Sequence, residues 1–141
     1  MKKIFFTVIL LICIITTGFA KSKTPMVVTT AFNLKFPNAT NVKWDKENAH
    51  EYEAEFDWKG ANHSANFSDK GEWLETESPS SFNQLPEKVK TGFNKLHNGA
   101  KVKGVSKIDT SKGITIFEIE IMKGVSIVEL FYTEDGTEIK E

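Results

Sequence analysis

The chain has 141 residues, with 18 basic and 19 acidic side chains and a net charge of -1, a size that allows one domain and excludes a multidomain machine. Hydrophobic residues at 40% and charged residues at 26% are ordinary for a globular domain and exclude a disordered, collagen-like or polytopic membrane chain. Every basic residue is a lysine; the forked arginine side chain that reads phosphate and guanine is missing, so nucleic acid is not an expected partner.

Met1-Lys2-Lys3, the apolar run Ile4 to Ile15 and the small residues around Gly18 and Ala20 have the layout of a secretory signal, with cleavage expected near Ala20. The run falls short of the ~20 apolar residues that span a bilayer. Ile12 is bulky where lipidation of Cys13 would want a small residue. Residues 1–20 are thus expected to leave and residues 21–141 to form the mature domain, in the periplasm or outside the cell, with no membrane contact. Losing Lys2 and Lys3 leaves 16 lysines against 19 carboxylates, a charge of -3. Cys13 leaves as well, so the mature domain has no disulfide and no thiol nucleophile.

Two segments, about 24–78 and 82–141, can be laid over one another. Pro25, Val28, Phe32 and Ala39 recur as Pro86, Val89, Phe93 and Ala100. Tyr52-Glu53-Ala54-Glu55-Phe56 recurs as Phe117-Glu118-Ile119-Glu120-Ile121, and Phe67-Ser68-Asp69-Lys70-Gly71 as Tyr132-Thr133-Glu134-Asp135-Gly136. The first segment opens with a predicted helix that Thr24 can cap and Pro25 can start; its apolar face Val28, Phe32, Phe36 stops at Pro37. Strands follow around Val42 and Trp44, over Tyr52 to Trp58, after a Lys59-Gly60 turn, and after the Gly71 turn.

Ser78 to Ser81 reads as a connector. In the second segment Pro86 starts a helix with Val89, Phe93 and Leu96 on one stripe, which Asn98-Gly99 ends. Strands are predicted from Val102 to Ile108, over Ile116 to Ile121, after Lys123-Gly124 and after Gly136. The expected fold is α+β: two tandem helix-plus-antiparallel-strands units, with the helices on one face of the sheet and a continuous sheet across the units preferred.

These residues resemble the secreted PepSY-like proteins, a family similar in fold to the β-lactamase inhibitor protein. Carrying the resemblance are Phe36-Pro37-Asn38-Ala39 ahead of Val42-Lys43-Trp44, Tyr52 to Phe56, Phe67-Ser68-Asp69-Lys70-Gly71-Glu72-Trp73-Leu74, Leu85-Pro86, Phe117 to Glu120 and Asp135-Gly136. It covers nearly all of the mature chain. The second unit departs from it in having no tryptophan equivalent to Trp44. The resemblance implies a small exported bacterial protein that binds or inhibits other proteins, with no catalytic residues to carry over and no target that transfers with the fold.

Strand parity marks the candidate surface. With Phe56 inward, Glu53, Glu55 and Asp57 face outward, as do Glu118 and Glu120; Trp73, Glu75, Glu77, Ile127, Glu129 and Phe131 share that parity. An acidic face with aromatic islands suits a basic protein or peptide partner: Trp73 and Phe131 as apolar anchors, with Glu53, Glu55, Glu118, Glu120 and Glu129 selecting lysine or arginine. Paired glutamates on one strand stand about 7 Å apart, within the range of glycosidase carboxyl pairs. A flat sheet face, however, has no pocket to raise one pKa, so no enzyme is expected. His50, His63 and His97 fit no metal spacing, and neither turn glycine sits in a calcium loop, so no metal and no cofactor are assigned. The expected protein is an exported, non-enzymatic, inhibitor-like binding module; the alternative is an envelope structural or stress protein that holds divalent cations weakly on its acidic face.

Overall fold

The computed structural model describes residues 23–140; the expected leader, with Cys13 and the cleavage point near Ala20, lies outside them. Helix α1 spans Met26–Lys35. Thr24 does not cap it: the N-cap is Pro25, whose carbonyl accepts hydrogen bonds from the N–H groups of Val28 and Thr29. Strands β1 (Thr40–Lys46), β2 (Glu51–Trp58), β3 (Ala61–Ser68) and β4 (Trp73–Pro79) follow. A 3₁₀ turn over Phe82–Gln84 leads into helix α2 (Glu87–His97), which is succeeded by β5 (Lys101–Thr110), β6 (Thr115–Lys123), β7 (Ser126–Thr133) and the short β8 (Glu138–Ile139).

The expectation of two tandem helix-plus-strands units is overturned. The eight strands form one antiparallel sheet in the order β1 to β8. At its middle β4 pairs with β5 from Glu75 opposite Thr110 to Pro79 opposite Ser106. Ser78 and Pro79, expected in a connector, belong to β4, and the Ser80 N–H donates to the Val105 carbonyl at 2.8 Å. An unpaired strand edge at that point would leave a row of backbone donors and acceptors unmatched; pairing β4 with β5 removes it and makes one sheet of the two segments. The described residues are therefore mostly sheet, with two α-helices of 10 and 11 residues laid on it.

Both helices cover the same face. Val28 and Phe32 of α1 and Phe36, its C-cap, are buried against Tyr52, Ala54, Phe56, Ala65 and Phe67 of β2 and β3. The rings interlock edge to face: Phe32 lies 4.8 Å from Phe56 at 87°, and Phe36 lies 5.2 Å from Trp58 at 83°, a geometry the aromatic quadrupole favours. Under α2, Leu85, Val89 and Phe93 meet Val105, Phe117, Ile119, Ile121 and Tyr132. Leu96, expected on that stripe, is exposed. Gly136 brings the last turn against the first turn of α2: its φ is +85°, and a Cβ there would collide with the Lys88 carbonyl. His97 and Tyr132 both reach the Glu138 carboxylate, at 2.6 and 2.7 Å, and tie the end of α2 to the β7–β8 edge.

Candidate functional site

The face opposite the helices is built by the other half of the alternation. Directly paired residues share a face, so the register runs Glu53 beside Asn66 beside Glu75, and Glu55 beside Ser64 beside Glu77 beside Ile108. Across the second half, Ser106 pairs with Glu118 and Glu118 with Phe131, while Gly104 pairs with Glu120 and Glu120 with Glu129. Apart from Gly104, these residues line one groove of about 370 Å³, reaching from β2 to β7. Eight glutamates line it, Glu47, Glu53, Glu55, Glu75, Glu77, Glu118, Glu120 and Glu129, and no lysine is among the lining residues. Its apolar floor is Ile108 and Phe131, which pack with buried Ile116. Glu120 lies over the bare Cα of Gly104, where an added Cβ would come within 2.5 Å of Oε2.

Crowding and burial change the acids. Burial, followed by the charges of Glu77, Glu129 and Glu120, pushes Glu118 up to about 8. Burial again leads at Glu53, with the charge and hydrogen bond of Glu47 next, and the result is about 7. Glu75 is raised by burial and by Glu77 and Glu51. Asp57 moves the other way because the amides of Asn41 and Asn62 donate to its carboxylate, at 2.7 and 3.2 Å. The expectation that a flat face could not shift a carboxyl group is thus corrected: the sheet forms a groove, and two glutamates in it hold protons near neutral pH.

Of the residues singled out in the sequence, Glu53, Glu55, Glu118, Glu120, Glu129 and Phe131 line this groove together. Phe131 is not the exposed anchor expected, since only 4% of it is accessible; it belongs to the floor. Trp73 is on the other face. A register shift between Asn66 and Phe67 leaves Leu74 as an extra residue, so Trp73 pairs with Phe67 rather than continuing the parity of Glu75. Its indole packs on the α1 cluster, donates to Thr76 Oγ1 at 2.8 Å and lies 3.5 Å beneath Lys35 Nζ. His63 has the expected inward parity, stacking on Phe56 at 5.8 Å and meeting Ser78 Oγ at 3.1 Å. Glu47, from the β1–β2 connection, was not among the expected groups; lying outside the strands, it carries no parity signal.

Residues 50–140 match the family described as "Putative beta-lactamase-inhibitor-like, PepSY-like". No curated protein matches the chain. Among solved structures, a BLIP-like protein from Bacteroides fragilis is 26% identical, with a TM-score of 0.69, over 88% of this chain and 87% of that one. A DUF2874 family protein from Bacteroides ovatus is 24% identical, with a TM-score of 0.73, over 84% of this chain and 86% of that one. A protein of Bacteroides eggerthii described as one of the "putative periplasmic proteins" is 19% identical, with a TM-score of 0.76, over 84% and 87%. Among the described residues no helix is long and apolar enough to cross a membrane. The family match takes in more than half of the chain and the same fold recurs in these relatives, so the chain belongs to the PepSY-like, β-lactamase-inhibitor-like family.

Proposed function

We propose that the protein is an exported, non-enzymatic binding module that captures a basic protein or peptide in its acidic groove, in the manner of an inhibitor. One observation carries the reading: the face left bare by the helices is lined by eight glutamates with no lysine among the lining residues. Carboxylates held on a rigid sheet lose little entropy when a cationic chain docks, and their summed field speeds encounter and rejects acidic partners. The floor of Ile108 and Phe131 gives an apolar neighbour of that cation somewhere to rest. Export is supported by the expected leader and by the periplasmic description of one relative.

The test is a calorimetric titration, in chelator, of a short lysine-rich peptide and of the same peptide with glutamate at each lysine. The lysine peptide should bind, more weakly as salt rises, and the Glu75→Lys, Glu77→Lys double variant should lose roughly tenfold or more in affinity. Equal binding of the two peptides, or an unchanged affinity in the double variant, would remove the proposal.

A further inference from the structure

We propose that the open edge of the sheet is a self-association site, at which β1 pairs antiparallel with β1 of a second copy of this chain about a two-fold axis at Trp44. Among the described residues β1 is an end strand of the sheet, with β2 on one side only. At the other end stands β8, two residues long, and so short an edge gives another strand little to follow. β1 has seven residues. The Glu47 N–H donates to the Glu51 carbonyl at 3.1 Å, so by alternation along the register the backbone groups of Lys43 and Asp45 point to β2. Those of Trp44 and Lys46, with the Val42 carbonyl, point away from the sheet, and among the described residues none of them meets a hydrogen-bond partner. Such a row of donors and acceptors is a template for an added strand.

Charge selects the occupant and the register. Lys43 pairs with Glu55 and Asp45 with Glu53, so both flank Trp44 on the groove face. An axis at Trp44 sets Lys43 of each copy opposite Asp45 of the other, in the close, non-hydrogen-bonded kind of pair, with Cβ atoms about 4.5–5.5 Å apart. Neighbouring registers are repulsive: an axis at Lys43 opposes two lysines, one at Asp45 opposes two aspartates, and one at Lys46 opposes Asp45 to Glu47. An axis at Val42 meets the bulge between Thr40 and Lys43, where Asn41 has a φ of 54°. In the Trp44 register the Trp44 N–H of each copy donates to the Trp44 carbonyl of the other, and each Lys46 N–H to the opposite Val42 carbonyl. Lysine on an edge ordinarily repels another strand; here Lys43 meets an aspartate, and the stem of Lys46 lies over exposed Val42. Directly paired residues share a face, so the joined sheet carries the helices of both copies on one side and both grooves on the other. A contact one strand wide is small, which makes the pairing reversible and weak.

Sedimentation equilibrium of the protein between about 5 μM and about 1 mM should show monomer and dimer in exchange. Lys43→Glu brings like charges face to face, and so does Asp45→Lys; each should weaken the dimer at least about tenfold. Both side chains are exposed, so each variant should keep the parent's circular dichroism spectrum. Mixing the two variants in equal amounts should restore the dimer, because every cross-strand pair in the mixed species is again of opposite sign. In the parent, hydrogen exchange at the Trp44 and Lys46 amides should slow as concentration rises, a readout that needs no variant. A monomer throughout the range, a dimer that neither variant weakens, a mixture no tighter than its components, or amides whose exchange ignores concentration would overturn the pairing. Protection of those amides by the lysine-rich peptide, without dimer, would give the edge to a partner's segment and overturn it as well. No residue of β1 lines the groove, so failure of either proposal leaves the other standing.

Discussion

The two faces of the sheet are made from alternate residues of the same strands, and they do opposite things. On the helix side Tyr52, Ala54 and Phe56, then Phe117, Ile119 and Ile121, disappear beneath α1 and α2, and the burial of these side chains drives folding. On the groove side Glu53, Glu55, Glu118 and Glu120, one residue out of step, crowd together, and two of them are pushed out of the ordinary carboxylate range. Stability is concentrated on the first face and partly given up on the second. A surface lined by crowded carboxyl groups, with no lysine among the lining residues, is where a cationic ligand gains most by binding.

The comparison can be broken first on the covered face. Phe56 is fully buried between Phe32 and Phe36, with ring centroids 4.8 and 4.6 Å away. Phe56→Ala should therefore lower the unfolding free energy in urea by roughly 3–5 kcal/mol, and a loss below about 1 kcal/mol would show that the helices hold the sheet less tightly than their packing requires.

A smaller effect, of opposite sign, belongs to the bare face. The folded chain holds a proton on Glu118 up to about pH 8 and on Glu53 up to about pH 7, whereas the unfolded chain releases both near the usual glutamate value. Stabilisation from these protons is complete below the unfolded value and is lost as pH climbs through the folded ones. In chelator, melting temperature should fall between about pH 5 and pH 9, and Glu118→Gln should flatten that decline and melt roughly 5 °C higher than the parent at the alkaline end. An unaltered slope in the variant would mean that Glu118 carries no such cost.

The smallest change sharpens the boundary between the faces. Trp73→Ala removes the indole under Lys35 Nζ and the bond to Thr76, and should cost roughly 1–2 kcal/mol in thermal denaturation. Affinity for the lysine-rich peptide should not change. Weakened peptide capture with stability intact would return Trp73 to the groove.

Much of the architecture is legible in residue order. Apolar residues spaced as Val28, Phe32, Phe36 and as Val89, Phe93 announced helices with one wet side, and both helices lie on those residues. The alternation in Tyr52 to Trp58 identified which carboxylates share a face, and six of the seven singled-out residues meet in one groove. Trp73 escaped because parity counts residues while a bulge inserts one: after Leu74 the count is off by a step. The end of β4 escaped for another reason. Ser78-Pro79-Ser80-Ser81 has turn-forming composition, and only the presence of β5 alongside makes its first two residues strand.

Local spacing by itself determined the helices, the strands and the sorting of glutamates from aromatics, because helix and strand periodicity depend on neighbours a few residues away. Long-range pairing decided the rest. The β4–β5 ladder makes one sheet, and with it one groove, of two segments. A carboxyl group's proton affinity depends on how much water and how many other charges surround it, and Glu118 of β6 meets Glu77 of β4 only after β5 has paired with both strands.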